Sequence, residues 1–251
     1  DADERFKALA DELGELQELL YAAGAHALLV VLQGMDTSGK DGTIRKVFAE
    51  MDPQGVRVVP FKAPTPLELA HDFLWRIHAQ APELGMVVLF NRSHYEAVVV
   101  ERVRQLVPEA TWRARYEQIN AFERLLLANR TVLVKCFLHI SADEQRERLL
   151  ARERDVEKAW KLNTGDWEER KRWDDYQRAY EEALTRCATP EAPWYVVPAD
   201  GKGLRNLAVA EAVVEHLRPL RDGWLETLRE RAERELAALR AYRDASGAEQ
   251  D

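Results

Sequence analysis

The residues with the strongest chemical signal form a glycine-containing loop directly after an apolar run. Gly34, Gly39 and Lys40 occupy the fixed positions of the pattern G-x-x-x-x-G-K, and the run Leu28–Gln33 precedes them. The glycines of such a loop let the backbone wrap closely round a phosphate, while successive N–H groups and a helix N-terminus supply partial positive charge. The lysine adds a full positive charge to the phosphate oxygens. The sequence therefore predicts a phosphate-binding P-loop of the Walker A type.

One position of this loop departs from the usual pattern. The residue after the lysine is usually Ser or Thr, whose hydroxyl binds magnesium, but here it is Asp41. The missing hydroxyl argues against an ordinary nucleoside triphosphatase, and another residue must then orient the metal. Asp36, inside the loop, is the candidate because a hard divalent cation favours carboxylate oxygens. We therefore expect Asp36 to hold Mg²⁺.

A second candidate segment follows the third predicted strand, where the chain reads Phe90-Asn91-Arg92-Ser93-His94-Tyr95-Glu96. Ligands of an open α/β sheet bind beyond the carboxyl ends of its strands. Arg92 would then face the same crevice as the loop, and its planar guanidinium suits phosphate oxygens. Taken alone, this signal is equally consistent with an ordinary surface arginine.

Short apolar runs alternate with helical stretches, which predicts an α/β fold with a doubly wound parallel sheet. The predicted strands are Leu28–Gln33, Val56–Pro60, Met86–Phe90, Val132–Leu138 and Trp194–Val197. The predicted helices between them are Gly39–Glu50, Leu67–Ala81, Tyr95–Leu106, Trp112–Ala128 and Asp143–Arg154. An amphipathic helix over Glu4–Ala22 comes first.

The 251 residues, with no internal repeat and no low-complexity linker, predict one domain over 1–251. Residues 221–251 form a C-terminal helical tail that we expect to be a long surface or interface helix, in a homo-oligomer. The net charge of −8 argues against nucleic acid or an anionic membrane as partner. The two cysteines lack the spacing of a metal site, and the sequence has neither an apolar run long enough to cross a membrane nor a signal-like segment. We therefore expect a cytoplasmic protein.

Several further motifs, in order and spacing, resemble the polyphosphate kinase 2 family from about Leu19 to Pro219. They are Gln33–Thr43, Phe61–Thr65, His71–His78, Phe90–Tyr95, Phe137–Ser141 with Glu144-Gln145, Lys158–Lys161, Trp173–Tyr176 and Ala192–Trp194.

The resemblance implies a P-loop kinase fold that binds inorganic polyphosphate in a basic channel, with a nucleotide opposite. It implies that Lys40 and Arg92 grip the transferring phosphoryl group and that Asp36 helps to hold magnesium. Lys62 and Arg76 match positions expected to line the phosphate path. The form of the Asn91–Ser93 segment is similar to the group that accepts both AMP and ADP, with GMP and GDP as further candidate acceptors.

Two positions depart from the family. Related sequences usually carry an aspartate after Tyr95-Glu96, where this chain has Ala97, so a charged oxygen ligand for magnesium is missing unless Glu96 replaces it. Val156 stands where a proline commonly follows Asp155, which affects only a loop.

Residues 142–178 are rich in charge and form a candidate helical lid over the phosphates, as kinases commonly have. Acidic residues are almost as numerous there as basic ones, so much of the segment is expected to be a solvated helix face. The cations that we expect to meet phosphate are Arg148 and Arg152, or Lys161. Within the phosphate loop, Gly39, Lys40 and Gly42 complete the predicted phosphate-binding set.

These features together predict a kinase that moves phosphoryl groups between inorganic polyphosphate and nucleoside mono- or diphosphates. Catalysis would rest on Asp36, Lys40 and Arg92 through positioning and charge neutralisation. Two rivals remain open. One is an ATP-dependent nucleotide kinase, and the other is a degenerate module that binds polyphosphate or nucleotide with little catalysis, for which Ala97 is the support.

Overall fold

The structure is a computed structural model, and it describes residues 2–155 and 164–246. In these residues five parallel strands form one sheet in the order β2-β3-β1-β4-β5. The strands are β1 Ala27–Gln33, β2 Val56–Pro60, β3 Val87–Asn91, β4 Thr131–His139 and β5 Trp194–Pro198. Each predicted strand is confirmed to within two residues at either end.

The helices lie between and around these strands. In chain order they are α1 Ala2–Ala23, α2 Lys40–Val47, α3 Pro66–Leu69, α4 Trp75–His78, α5 Val100–Val103, α6 Glu109–Ala128, α7 Ala142–Arg154, α8 Thr164–Lys171, α9 Trp173–Arg186, α10 Lys202–Leu217 and α11 Arg221–Ser246. No helix of the described ranges is long and apolar enough to span a membrane.

The central strand explains why the sheet is buried on both faces. All seven residues of β1 are buried, and β1 pairs with β3 on one side and β4 on the other. A continuous apolar run of this kind requires helices against both faces of the strand, because no alternate position can point to water. The predicted α/β fold with a doubly wound parallel sheet is therefore confirmed.

Two predicted helices are wrong as continuous elements. The stretch predicted over Leu67–Ala81 divides into α3 and α4, because the Asp72 carboxylate accepts a hydrogen bond from the Leu74 N–H (3.0 Å) and starts a turn instead. The stretch predicted over Tyr95–Leu106 divides into a short 3₁₀ helix, His94–Ala97, and α5. The Ser93 hydroxyl caps that 3₁₀ helix by accepting from the Tyr95 N–H.

The helix α10 was not among the predicted elements, whereas α8 and the start of α9 lie within the predicted helical segment 142–178. One face of α10 is apolar and buried, and the helix packs on α1 and on the strands β4 and β5. The amphipathic pattern of α10 is present in the sequence, but the helix follows the last strand and falls outside the strand–helix alternation on which the prediction rested.

A buried charged cluster ties β4 to α6 and to the segment after β3. Lys135, fully buried, donates to the Glu123 carboxylate (2.6 Å), to the Tyr95 hydroxyl (3.2 Å) and to the Cys187 carbonyl (2.6 Å). Glu123 also accepts from the Tyr95 hydroxyl (2.6 Å) and pairs with His94 Nε2 (3.1 Å). Burial opposes the carboxylate charge, yet His94 and Lys135 outweigh it and lower the pKa of Glu123. The cluster therefore fixes the position of the His94–Tyr95 backbone.

We expect Glu123→Ala to destabilise the protein by about 3–5 kcal/mol, because the charge of Lys135 is then left buried without a partner. The free energy of unfolding from urea denaturation measures this cost. Glu117→Ala is the matched control on the same helix, since the side chain of Glu117 is 75% exposed. Breaking its surface pair with Arg124 should cost about 0–1 kcal/mol.

The double change Glu123→Leu with Lys135→Met removes both charges and should recover much of the loss, because an apolar pair can replace a buried ion pair. Equal costs for Glu123→Ala and Glu117→Ala would contradict the structural role of the cluster.

Candidate active site

The two predicted site segments meet at the carboxyl edge of the sheet. Leu32 near the end of β1 pairs with Asn91 at the end of β3, and the Arg92 N–H donates to the Leu32 carbonyl (3.0 Å). The loop Gly34–Lys40 leaves β1 at this point, while Arg92 leaves β3. Because β1 is flanked by β3 on one side and β4 on the other, this is the switch point at which open α/β sheets bind ligands.

The loop reaches its shape through three residues with positive φ. Gly34 has φ 151°, Thr37 has φ 62° and Gly39 has φ 103°. A Cβ atom at Gly34 would lie 2.6 Å from the Leu138 carbonyl, so only glycine fits there. Thr37 adopts the left-handed conformation with a side chain, a strain that neighbouring contacts must hold. Its carbonyl accepts a hydrogen bond from Arg148 (2.9 Å).

Lys40 begins α2, and its side chain folds back over the loop. The ammonium group donates to the carbonyls of Gly34 (2.8 Å) and Met35 (3.1 Å) and to the Ser38 hydroxyl (3.4 Å). Burial, followed by the nearby charge of Arg92, lowers the pKa of Lys40 to about 8, although carboxylates near it act in the opposite direction. Lys40 lines the cavity, and an anion bound there would give its ammonium group the negatively charged partner that it lacks.

Arg92 stands between two carboxylates. Its guanidinium donates to Asp36 (2.5 Å) and to Glu96 (3.1 Å), and its own φ is 64°. Burial works against the charge, but Glu96 and Asp36 raise the pKa of Arg92 above its ordinary value. Glu96 is held in turn by the Gln33 amide (2.9 Å). Without ligand, the arginine that is predicted to grip phosphate is thus paired with protein carboxylates.

The catalytic candidates Asp36, Lys40 and Arg92 all line one cavity of about 1090 Å³. Gly39, Gly42, Lys62, Arg76 and Arg152 line the same cavity. The structure therefore brings together eight sequence-predicted residues: Asp36, Gly39, Lys40, Gly42, Lys62, Arg76, Arg92 and Arg152.

Two of the predicted phosphate-binding cations, Arg76 and Arg152, have protein partners of their own. Arg76 donates to Glu68 (3.2 Å) and to the Lys62 carbonyl (2.8 Å), and its guanidinium lies over the Phe61 ring. Arg152 pairs with Asp166 of α8 (2.8 Å). These cations are held in place at the cavity wall, where a phosphate chain could compete for them.

Arg148 lies elsewhere than the sequence suggested. It does not line the cavity, and its guanidinium donates to three backbone carbonyls, of Thr37 (2.9 Å), Ala199 (2.8 Å) and Asp200 (2.7 Å). With its N–H groups engaged there, Arg148 supports the loop backbone from outside. Lys161, the other predicted lid cation, lies outside the described residues.

The cavity also contains residues that the sequence did not single out. Asp166 is one of them, and burial together with the charge of Asp36 raises its pKa, while Arg152 lowers it. Others are Arg45, Phe73, Val100, Arg104, Leu106, Val107 and Arg115. Phe73 lies in the motif His71–His78 and Asp166 in the predicted lid, whereas the other residues lie in ordinary helical or loop patterns and reach the cavity only through the fold.

Ala97 lies at this cavity and is 5% exposed. Its carbonyl accepts a hydrogen bond from Arg115 (2.9 Å), which fixes the backbone there. Over residues 2–155 and 164–246, no group of three or more His, Cys, Asp or Glu side chains is arranged to hold a metal ion. A metal at this cavity would therefore need ligands from the substrate as well as from the protein.

Comparisons with known proteins agree with this geometry. The family model for polyphosphate kinase 2 matches residues 1–221. An AMP/ADP-polyphosphate phosphotransferase of Meiothermus ruber is 53% identical over 217 residues, which are 86% of this chain and 81% of that protein. An ADP-polyphosphate phosphotransferase of Rhodopseudomonas palustris is 44% identical over 236 residues, which are 89% of this chain and 82% of that protein.

A solved structure gives the same result for the fold. The polyphosphate kinase 2 of Arthrobacter aurescens superimposes with a TM-score of 0.86 at 45% sequence identity, covering 88% of this chain and 80% of that one. The family model extends over the loop, the Arg92 segment and the sheet that joins them. The chain belongs to the polyphosphate kinase 2 family, as its motifs predicted.

Proposed function

We propose that this protein transfers a phosphoryl group between inorganic polyphosphate and nucleoside mono- and diphosphates. Membership of a kinase family confirms the predicted enzyme class, a phosphotransferase. The observation that carries the proposal is the convergence of Lys40 and Arg92 at one large cavity lined by further cations. The names of the M. ruber and R. palustris relatives support AMP and ADP as acceptors.

We infer that the phosphate chain follows the wall formed by Lys62 and Arg76 towards Lys40. These two residues line the cavity that also contains the loop, and Arg76 is held rigidly by Glu68. A polyanion can bind here in spite of the net charge of −8, because several guanidinium and ammonium groups are gathered at one surface.

The acceptor's terminal phosphate oxygen attacks the end phosphorus of the chain in line, and the bond to the next bridging oxygen breaks. The chain leaves one phosphate shorter, and the nucleotide gains one. Lys40 and Arg92 neutralise the charge on the transferring group, with Arg92 exchanging its contacts to Asp36 and Glu96 for phosphate oxygens. Each fixed charge of this kind contributes about 10²–10³ in rate.

The carboxylates at the cavity fit a magnesium ion. Asp36, Asp41, Glu96 and Asp166 offer only oxygen donors, and magnesium is commonly held by one or two carboxylates together with substrate phosphates. Asp36 would hold the ion, which would supply positive charge to the bridging phosphate oxygens when bound. The ion pair between Arg92 and Asp36 would then be weakened, because Asp36 would also bind the metal.

The proposed lid comprises residues 142–178, within a single domain over 1–251. Its described helices α7 and α8 place Arg152 and Asp166 at the cavity. We further propose a cytoplasmic homo-oligomer. Cys136 and Cys187 are buried free thiols, as suits a reducing compartment, and Leu236, Leu239 and Tyr242 on the C-terminal helical tail are exposed.

The function is tested by incubating the protein with polyphosphate, magnesium and AMP, ADP, GMP or GDP, with products separated by chromatography. We expect Lys40→Ala to lower the transfer rate about 10²–10³-fold, because one fixed charge on the moving phosphoryl group is lost. Lys46→Ala is the matched control, since Lys46 is an exposed lysine of the same helix and does not line the cavity. Turnover with ATP but not with polyphosphate would favour the ATP-dependent kinase instead.

A pH dependence follows from the lowered pKa of Lys40. Phosphate binds more tightly to the protonated amine of Lys40 than to the neutral amine. The affinity is therefore highest well below pH 8 and falls as Lys40 loses its proton above that pH. Titration calorimetry with tripolyphosphate should show affinity falling about tenfold from pH 7 to pH 9. Lys40→Arg keeps its charge across this range, so the fall should be absent from a folded variant. The same fall in both proteins would assign it to another group.

Ala97→Asp adds a carboxylate to the cavity that Asp36 also lines, and it should lower the magnesium concentration needed for half-maximal rate while raising turnover. The effect should require Asp36, so that Asp36→Ala with Ala97→Asp recovers little. Magnesium titrations of the transfer rate measure both variants. An unchanged requirement would place the metal elsewhere, with Glu96 next to test, and reduced turnover would favour the binding module.

A further inference from the structure

Arg205 lies directly against the phosphate loop without reaching the cavity. Its side chain comes from the first turn of α10, is 3% exposed and is not among the residues that line the cavity. A Cβ atom at Gly39 would stand 2.0 Å from Arg205 Nη1, and one at Gly42 would stand 3.5 Å from Nη2. Gly39 therefore has to be glycine for a second reason besides its φ of 103°, because its side-chain space is filled by this guanidinium.

The partners of Arg205 leave its charge uncompensated. Nε and Nη2 donate to the Asn206 amide oxygen (3.2 and 3.0 Å), and Nη1 points to the Ser38 carbonyl (3.5 Å). In the parts of the chain that the structure describes, no carboxylate makes an ion pair with Arg205. Burial, and then the charge of Arg148, lower its pKa to about 10. A buried cation without a counter-charge is costly, and folds normally avoid it.

Asn206 supplies hydrogen bonds to the Arg205 guanidinium but no negative charge. Its amide oxygen satisfies the donors of Arg205 and accepts from the Thr43 hydroxyl of α2 (3.5 Å). An aspartate at this position would make the same contacts and would also cancel the charge. The neutral amide instead leaves a full positive charge beside the backbone of Gly39 and Gly42, with no side chain of theirs in between.

We propose that the counter-charge of Arg205 is the phosphate chain itself, so that Arg205 is a positioning residue that sets phosphate affinity through the loop. The inference rests on the proposed binding of phosphate at Gly34–Lys40. The chain and Arg205 lie on opposite sides of a thin glycine backbone, and at such separations a unit charge in protein surroundings still changes binding by about tenfold. The destabilisation of the ligand-free fold is relieved when the phosphate binds.

The test is Asn206→Asp, measured by titration calorimetry with tripolyphosphate and by thermal unfolding without ligand. We expect the Kd to rise about tenfold while the unfolding temperature of the ligand-free protein rises as well, because the new carboxylate pairs with Arg205. A substitution that acted only on the fold would not weaken phosphate binding while making the ligand-free protein more stable. Asn129→Asp is the matched control, since Asn129 is exposed and precedes β4 at the opposite edge of the sheet.

Two changes at Arg205 keep the test decisive if Asn206→Asp does not fold. Arg205→Met should weaken tripolyphosphate binding by a similar factor without lowering the ligand-free unfolding temperature, and Arg205→Lys should retain most of the affinity. Folded Asn206→Asp or Arg205→Met proteins that bind as tightly as the unaltered protein would overturn the inference. Failure of the unaltered protein itself to bind tripolyphosphate would instead overturn the proposed function.

Discussion

One hydrogen bond just beyond the end of β3 determines how the site is assembled. By donating to the Leu32 carbonyl, the Arg92 N–H extends the ladder between the two strands by one step. The chain then diverges, into the loop on one side and into the Ser93–Glu96 turn on the other. Strand pairing therefore brings the start of the loop and Arg92 to one place, and the positive-φ residues of the loop then direct Lys40 to the same cavity. The buried Lys135–Glu123 pair holds the second branch from behind.

The same site is governed by a balance of charge. The pKa of Lys40 is lowered and that of Arg92 is raised, although the two cations line one cavity. The difference arises because Arg92 has two carboxylate partners within hydrogen-bond distance, whereas Lys40 donates only to carbonyls and a hydroxyl. Arg205 continues this pattern below the loop. The carboxylates of the protein therefore pair with Arg92 but not with Lys40 or Arg205. The positive charge of Lys40 and Arg205 that is left without an ion pair favours the binding of an anionic substrate.

The sequence could predict the fold to the extent that local patterns carried it. The five apolar runs predicted β1 to β5, and G-x-x-x-x-G-K predicted the loop, because strand–loop–helix order is a local property. The prediction of one helix over Leu67–Ala81 was wrong because the Asp72 turn outweighed its helical period. The place of Arg205 could not be found from local patterns, since the loop residues Ser38 and Gly39 that it contacts lie more than 160 positions earlier in the chain. Arg148 was predicted to contact phosphate, and it does lie close to the phosphate loop. It binds the backbone carbonyl of Thr37 instead of lining the cavity.

The contacts of Gln145 and Arg148 have a mechanical consequence for the proposed lid. Gln145 donates to the Asp36 carbonyl (3.2 Å) and Arg148 to that of Thr37, so the first two turns of α7 are fastened to the loop. Arg170 of α8 donates back to the Ala142 carbonyl (2.6 Å) and to Gln145 (3.0 Å). The described helices α7 and α8 of the proposed lid are therefore held to each other and, through α7, to the phosphate loop. A closing movement of α8 would have to break the contacts of Arg170 or carry the start of α7 with it, and α7 could move only by releasing the backbone of Asp36 and Thr37.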